Sequence, residues 1–544
     1  MSVLQPTEAP SAPPATGPRI TALPERLRRS APVWAAALTA LLLGLLWAGT
    51  IAKVTGDLAA QWAWADFAAG HPGSAYDLGW YGGMYPASYS VLAPYLMGLF
   101  GVRTVAVAAA AVSAAVLGQL VRRSGVRGPL PVALWGAFAL ACDVAAGRVT
   151  FALGLMFGLA SVVACGTGRA PGWWRTAGVA VLALLATMAS PVAGLFVEVA
   201  AAAMLVTGRR RTGIALAVPP PLVVLLTTLL FPFSGVDPIT VPTVVFSGGC
   251  AVAVALLVSR DWRALRAGAA VYALGILLTW SFSTPIGSNV QRLALIFGGV
   301  AFLAALLARP AASRRRTLAL LVAFAATAYW TVTANVIGIP APSAPGQVDG
   351  LIAELKLLHA DQARLEAVPM RNHWESWGLV GSAELARGWN RQLDVQRNPL
   401  FYNDTLTAAS YHDWLRQWAV RYVALPDTTL DVAGTSEAAL IRTGPAWLHE
   451  VWHDSDWTLY RFTDAVPLAT APAVVEHADA DQVVLDVSAA GPVTVRLSWS
   501  PWLQVPGPGG ACLAQDGTWT RLNAPAPGTY RISAGYTWPR GTPC

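Results

Sequence analysis

Eleven apolar stretches occupy the first 338 residues, at roughly 32–53, 102–121, 129–145, 149–167, 176–190, 192–208, 213–231, 239–258, 267–284, 289–308 and 317–338. Apolar runs of this kind are read as membrane-spanning helices, because a bilayer core demands about 20 consecutive apolar residues. The fifth and sixth are short and meet in a tight Ser190-Pro191 turn. The segment 86–101, PASYSVLAPYLMGLFG, is apolar but short and holds two prolines. It fits an interfacial or re-entrant helix better than a span, with an N-terminal extension of the second span as the alternative.

Beyond Gly338 the pattern changes. A Pro-rich linker precedes DGLIAELKLLHADQARLEAV, whose spacing predicts an amphipathic helix. Trp-rich loops follow, with a helix near SYHDWLRQWAV and strands at RYVALP and WTLYRFTD. From residue 466, DQVVLDV, VTVRLSW and TYRISAGY alternate apolar and polar positions between Gly/Pro turns, predicting a small antiparallel β-domain. The predicted organisation is a disordered cytoplasmic tail over 1–30 and a helical transmembrane domain over 31–338 with an outer loop at 55–101. An extracytoplasmic α/β region over 339–465 and a β-domain over 466–544 complete it.

Charge fixes the expected orientation. Basic residues cluster after even-numbered spans: Arg122, Arg123 and Arg127, then Arg169 and Arg175, Arg209 to Arg211, Arg260, Arg263 and Arg266, and Arg309 with Arg314 to Arg316. Cytoplasmic connections carry such an excess, so the N-terminus is placed inside and the C-terminus outside. The fold class expected is therefore an α-helical polytopic plasma-membrane protein of about 11 spans with an extracytoplasmic C-terminal region. Only 12% of residues are charged, against about 25% in soluble chains. Residues 1–338 hold 23 Lys+Arg and 9 Asp+Glu, net +14, whereas 339–544 hold 14 and 21, net −7. The overall +7 is a topology signal and gives no reason to expect a nucleic-acid partner.

Of five cysteines, Cys142, Cys165 and Cys250 lie in or beside spans, as small buried thiols do. Cys512 and Cys544 fall in the region assigned outside, where a disulfide between them is expected. No Cys/His spacing typical of a metal site occurs.

Polar groups at the outer face are candidates for chemistry. Asp57 follows the first span directly, and in a helix it shares a face with Gln61, four residues on. A carboxylate at interface depth suits a general base acting on an acceptor hydroxyl; a helix-capping aspartate after Gly56 is the plainer reading. Asp66 is a second candidate. Trp62, Trp64, Trp80, Tyr81, Tyr85 and Tyr89 suit either an interfacial aromatic belt or stacking on sugar faces, with Trp62, Trp80 and Tyr81 favoured for the latter. Asp143 and Arg148 share the second outer turn. Arg292 follows Ser288 and Asn289, either of which would cap the tenth span. A guanidinium beside a helix N-terminus favours phosphate; an Arg148–Asp143 pair or plain headgroup contact is the structural alternative.

The order of these features resembles a known superfamily. An acidic residue after the first span is followed by an outer turn with an acid and Gly147-Arg148, by SPVAGL from Ser190 to Leu195, and by G-S-N-x-x-R from Gly287 to Arg292. Together they resemble GT-C polytopic glycosyltransferases. LARGWNRQLDVQRNPLFYND and YHDWLRQWAVRYVALPD are similar to the extracytoplasmic part of actinobacterial membrane proteins grouped as 6-pyruvoyl-tetrahydropterin synthase-related. The resemblance implies a polyprenyl-phosphate-linked sugar as donor and an envelope glycan or lipid as acceptor. It makes Asp57 the first-loop acid and Asp143 the second, with Arg292 and Arg148 holding the leaving phosphate and membrane lipids surrounding the whole. No Asp-Asp or Glu-x-Asp pair adjoins Asp57, so no metal ligand is assigned and a divalent cation stays open. The rival readings are a transporter or flippase, for which Glu198 is the only ionisable group deep in a span, and a non-catalytic relative.

Overall fold

The computed structural model describes residues 25–52, 56–166, 172–308, 313–337 and 347–544. Of the expected tail over 1–30, residues 1–24 lie outside them, as do Lys53, Arg169 and Arg309; residues 25–30, expected to be disordered, instead open the helix Glu25–Thr50. Each of the eleven apolar stretches is helical over most of its described residues. Six helices are long and apolar enough to cross a membrane: Arg29–Thr50, Val102–Arg123, Arg210–Leu230, Arg263–Ser281, Gly287–Ala308 and Arg314–Ile337. Five more are apolar but shorter: Pro129–Ala145, Val149–Ala164, Trp173–Ala189, Pro191–Val206 and Val241–Leu257. Local chemistry starts several of them. Ser190, Thr240 and Ser313 each accept a bond from a backbone N–H three residues on, satisfying donors that a helix start leaves free. Leu42, Leu46, Leu229, Leu256, Leu277 and Val322 point outward and exposed. Such a jacket suits hydrocarbon rather than water, and the chain is a multi-pass membrane protein.

Two helices depart from a plain rod. The seventh breaks into Arg210–Ala217 and Pro219–Leu230, since consecutive prolines cannot continue an i→i−4 ladder. The eleventh ends in a π-turn, Thr333–Ile337, which buries Asn335. Widened turns of this type often serve function.

Segment 86–101 forms two short helices, Pro86–Tyr89 and Ala93–Phe100, and Gly101 at φ 85° separates them from the next long helix. The Ala93–Phe100 helix packs on the Gly56–Gly70 helix. A Cβ at Gly98 would lie 2.9 Å from the Ala65 carbonyl oxygen, so glycine permits that close crossing.

The strands are β1 Arg364–Ala367, β2 Glu384–Leu385, β3 Val420–Pro426, β4 Leu448–His453, β5 Trp457–Phe462, β6 Ala473–Ala478, β7 Gln482–Val487, β8 Gly491–Ser498, β9 Cys512–Asp516, β10 Trp519–Ala524 and β11 Gly528–Ser533. The first five form one mixed sheet, ordered β2-β1-β3-β5-β4, and the rest form two three-stranded sheets, β8-β10-β9 and β11-β7-β6. The expected amphipathic helix is shorter than its pattern: Asp349–Leu357 is helical, His359 turns left-handed at φ 49°, and RLEA becomes β1. Central pairing of β1 with both β2 and β3 outweighs helical spacing there. In the β-domain Val483, Leu485 and Val487 face Val493, Val495 and Leu497 across one core, the alternation of a two-layer sandwich. Cys512 and Cys544 are joined by a disulfide, with Cα atoms 4.9 Å apart.

Candidate active site

Five separate segments meet where the transmembrane helices face the mixed sheet. The Gly56–Gly70 helix brings Asp57, the end of Pro129–Ala145 brings Asp143, and the turn after it brings Arg148. Gln291–Ala308 brings Arg292, and the π-turn brings Asn335. Arg148 is the hub. One terminal nitrogen donates to Asp143 Oδ1 at 3.1 Å and to Asn335 Oδ1 at 2.7 Å, and its Nε lies 3.7 Å from Asp57 Oδ2. Asn335 is itself held, its amide donating to the Thr331 carbonyl. Exposure separates the two acids: the Asp57 side chain is 39% exposed and that of Asp143 only 3%. Asp143 therefore fixes the guanidinium, while Asp57 retains an open face.

Arg292 is buried and places its guanidinium 5.0 Å from the Phe151 ring. Among the described residues it forms no hydrogen bond or ion pair. Arg148, Tyr89, Asp143 and Asp57 all act on it electrostatically. A buried guanidinium without a bonded counter-ion is costly, and its natural remedy is an anion from outside. Tyr89 packs against Trp64 with the rings tilted, centroids 4.4 Å apart, and burial pushes its phenol upward despite the nearby Arg292.

Asp237 sits in the loop before the Val241–Leu257 helix. Its Oδ2 accepts from the Ser288 backbone N–H at 3.0 Å and the Asn289 amide at 3.4 Å. The expected capping by Ser288 or Asn289 is thus reversed: both are donors, and Asp237 is the acceptor that secures the turn ahead of Arg292. Gly287 adopts φ +44°, and a Cβ there would come within 2.2 Å of the Asp237 carbonyl. Burial raises the Asp237 carboxyl to about 6, offset in part by the Ser288 N–H.

The mixed-sheet region roofs this cluster. The Val236 N–H donates to the Gln392 carbonyl. Arg391 pairs with Asp431 at 3.1 Å and lies 5.2 Å over Trp389. His373 stacks on the same Trp389 at 3.4 Å, between Glu375 and Asp431, and its Cδ2 is 3.8 Å from a Cβ built at Gly56.

Several residues singled out in the sequence lie elsewhere. Gln61 shares the Asp57 helix but turns inward, its carbonyl accepting from the Thr150 N–H at 3.2 Å. Asp66 accepts from the Trp377 indole at 2.7 Å, and Trp62 packs on Trp377 at 5.7 Å; both dock the sheet region. The expectation that Trp80 and Tyr81 stack on sugar is corrected. Each is fully buried, donating to the Ser376 and Gly388 carbonyls respectively, so neither ring has a free face. Tyr89 is marked in the sequence only as one of the loop aromatics and Asn335 not at all, and nothing local marks Arg391 or His373, nor Arg103, which lies 5.8 Å over Trp62. A polar amide near the end of the last span, in TANVI, was the available signal for Asn335. Among the described residues, no group of three or more His, Cys, Asp or Glu could hold a metal. Arg148 already stands between Asp57 and Asp143.

A family described as "Domain of unknown function (DUF8823)" matches residues 470–514 and 508–544. No curated protein matches. Similar solved structures include the arabinofuranosyltransferase AftD from Mycobacteria, at TM-score 0.46 and 15% identity over 94% of this chain and 57% of that one. A mutant form of AftD gives 0.42 and 13%, over 93% and 60%. The oligosaccharyltransferase AglB from Archaeoglobus fulgidus, solved with an inhibitory peptide and a dolichol-phosphate, gives 0.45 and 10%, over 74% and 70%. The chain thus spans under two thirds of the length of the AftD chains it overlaps.

Proposed function

We propose that the protein is a membrane glycosyltransferase of GT-C type, moving a sugar from a polyprenyl-phosphate carrier to an envelope glycan or lipid at the extracytoplasmic face. The observation that carries this reading is the meeting of Asp57, Asp143, Arg148 and Arg292, from distant parts of the chain, where the Arg292 guanidinium has no bonded anion among the described residues. In the reaction, Asp57 takes the proton of an acceptor hydroxyl as that oxygen bonds the anomeric carbon. The bond from that carbon to the phosphate oxygen breaks, and the electron pair leaves with the lipid phosphate. Arg292 stabilises the departing charge, with Arg148 beside it. Stabilising charge where it develops is commonly the largest contribution to such catalysis. Asp143 and Asn335 hold Arg148 in place.

The test is transfer from a labelled decaprenyl-phosphate sugar by protein in nanodiscs. Turnover is expected from the wild type. Asp57→Asn should lose about 100-fold or more, the range for a general base. Full activity in that variant would remove Asp57 from the mechanism, and absence of transfer across a panel of such donors would remove the reaction.

A further inference from the structure

Beneath the charge cluster, between the helices, lies a cavity of about 750 Å³ that the proposed chemistry does not use. Its walls are apolar, with Phe196, Met204, Val254, Phe297 and Ala301 among them. Along the Gln291–Ala308 helix the lining runs from Leu293 to Ala304, about 16 Å at 1.5 Å per residue. That is roughly half of a hydrocarbon core about 30 Å thick, the depth of one leaflet.

Charged side chains gather at one end. Arg123, Arg209 and Arg263 rim the cavity with Asp261, leaving it net positive. All belong to connections that the arginine pattern assigns to the cytoplasmic side. Arg123 and Arg209 are anchored by carbonyls of Val163 and Cys165 at 3.0 Å. The Arg263 side chain is exposed and, among the described residues, makes no hydrogen bond or ion pair. At the far end Leu293 and Tyr272 line the wall under Arg292, and the Tyr272 hydroxyl is already spent on the Val290 carbonyl.

We propose that this cavity binds one acyl chain of an anionic phospholipid from the cytoplasmic leaflet, with the lipid phosphate seated on the arginine rim. The length of the cavity matches a chain of one leaflet. The sign of the rim selects an anionic headgroup over a zwitterionic one, and the position of the rim fixes which leaflet supplies it. The site is separate from the sugar-donor site, whose phosphate group belongs at the opposite membrane face.

The experiment places full-length protein in nanodiscs of equal phosphatidylglycerol and phosphatidylcholine, and weighs the retained lipid by native mass spectrometry. One phosphatidylglycerol per protein should be retained in preference. Arg263→Gln should weaken that preference about fivefold, the effect of one basic side chain at an anionic surface, and Arg263→Lys should keep it. Because the Arg263 side chain makes no hydrogen bond or ion pair among the described residues, this variant separates binding from folding. Ala301→Trp, which fills the cavity, should abolish retention of either lipid. Equal retention of the two lipids, or an unchanged preference in Arg263→Gln, would overturn the proposal. So would one-for-one displacement by decaprenyl phosphate, which would make the cavity the donor-tail groove. The readout is lipid mass and needs no glycosyl transfer.

Discussion

Arg148 works through shape as much as charge. A single guanidinium reaches Asp143, Asn335 and the edge of Asp57, which an ammonium on a flexible stem does not reproduce. Arg148→Lys should therefore lower transfer on the order of 100-fold with little change in melting temperature, checked by kinetics beside a detergent melt. Asp237 makes a pH argument. Its carboxyl is raised to about 6, burial being the main cause. The folded state thus favours the protonated form, so its contribution to stability is greatest at acid pH and declines as pH rises from about 4, the ordinary carboxylate value, to about 6. Asp237→Asn keeps an oxygen for the Ser288 N–H while removing the titration. Melting temperatures of this variant should vary less between pH 4 and 6 than those of wild type. An unchanged profile would move the titration to another group. At this scale the sequence exposed the cations that break an otherwise regular charge pattern, Arg148 and Arg292. It did not expose Asn335 or the capping role of Asp237, because hydropathy reports depth in the bilayer and not which side of a helix faces inward.

Among elements, the helix Gly56–Gly70 sets the geometry of the candidate site, since its docking decides where Asp57 points. Three contacts tie it to the sheet region: Asp66 and Trp62 to Trp377, and Gly56 beneath His373. Burial works against a charged His373, yet Asp431 and Glu375 outweigh it and raise the imidazole above its usual value. Burial also opposes the Asp431 carboxylate, but His373 and Arg391 hold it well below the ordinary range. The signs give a window. The His373 contribution is complete below about 6.5, the unperturbed value, and is lost as pH rises through its raised value. The Asp431 contribution is present above about 4 and is lost as pH falls through its lowered value. Alkaline conditions should thus loosen the roof before the helices. Hydrogen exchange over 371–377 and 56–62 should rise, relative to the Val102–Arg123 helix, as pH climbs past the His373 titration, after correction for intrinsic rates. His373→Gln should remove that pH step; its persistence would assign it elsewhere. Alternation and span length made the helices and β-strands legible, and the strands at RYVALP and WTLYRFTD appear as β3 and β5. Which aromatics dock elements was not legible, since nothing local to Trp62 or Trp80 reports that they meet Trp377 and the Ser376 carbonyl, about 300 positions on.

For the whole molecule, the region after residue 465 reads in sequence as an appended module, with its own turns, alternation and disulfide. The structure ties it into the membrane half. The outer loop threads the sandwich: the Ala75 N–H donates to the Ala534 carbonyl, the Tyr76 hydroxyl to the Ser498 carbonyl, and the Tyr85 hydroxyl to Ser500. Phe231, at the end of a membrane helix, stacks on Trp502, whose indole donates to the Leu230 carbonyl. Arg397 of the mixed-sheet region donates to the Tyr81 and Gly83 carbonyls and to Ser498. Local pattern cannot report such ties, because they pair residues at least 101 positions apart, and 422 for Tyr76 with Ser498. Removing residues 466–544 would expose Tyr76, Leu78, Tyr85 and Phe231, which share the sandwich core, and each fully buried side chain of that size is worth about 1.5–3 kcal/mol. It would also free the loop that leads from Asp57 to Tyr89. A chain ending at residue 465 should therefore lose its cooperative melt and all transfer together, whereas a detachable binding module would leave the melt intact and weaken only acceptor affinity. Size-exclusion profiles and melts of the truncated protein in nanodiscs decide between the two, and a monodisperse, cooperatively melting truncation would return the β-domain to the status of an accessory.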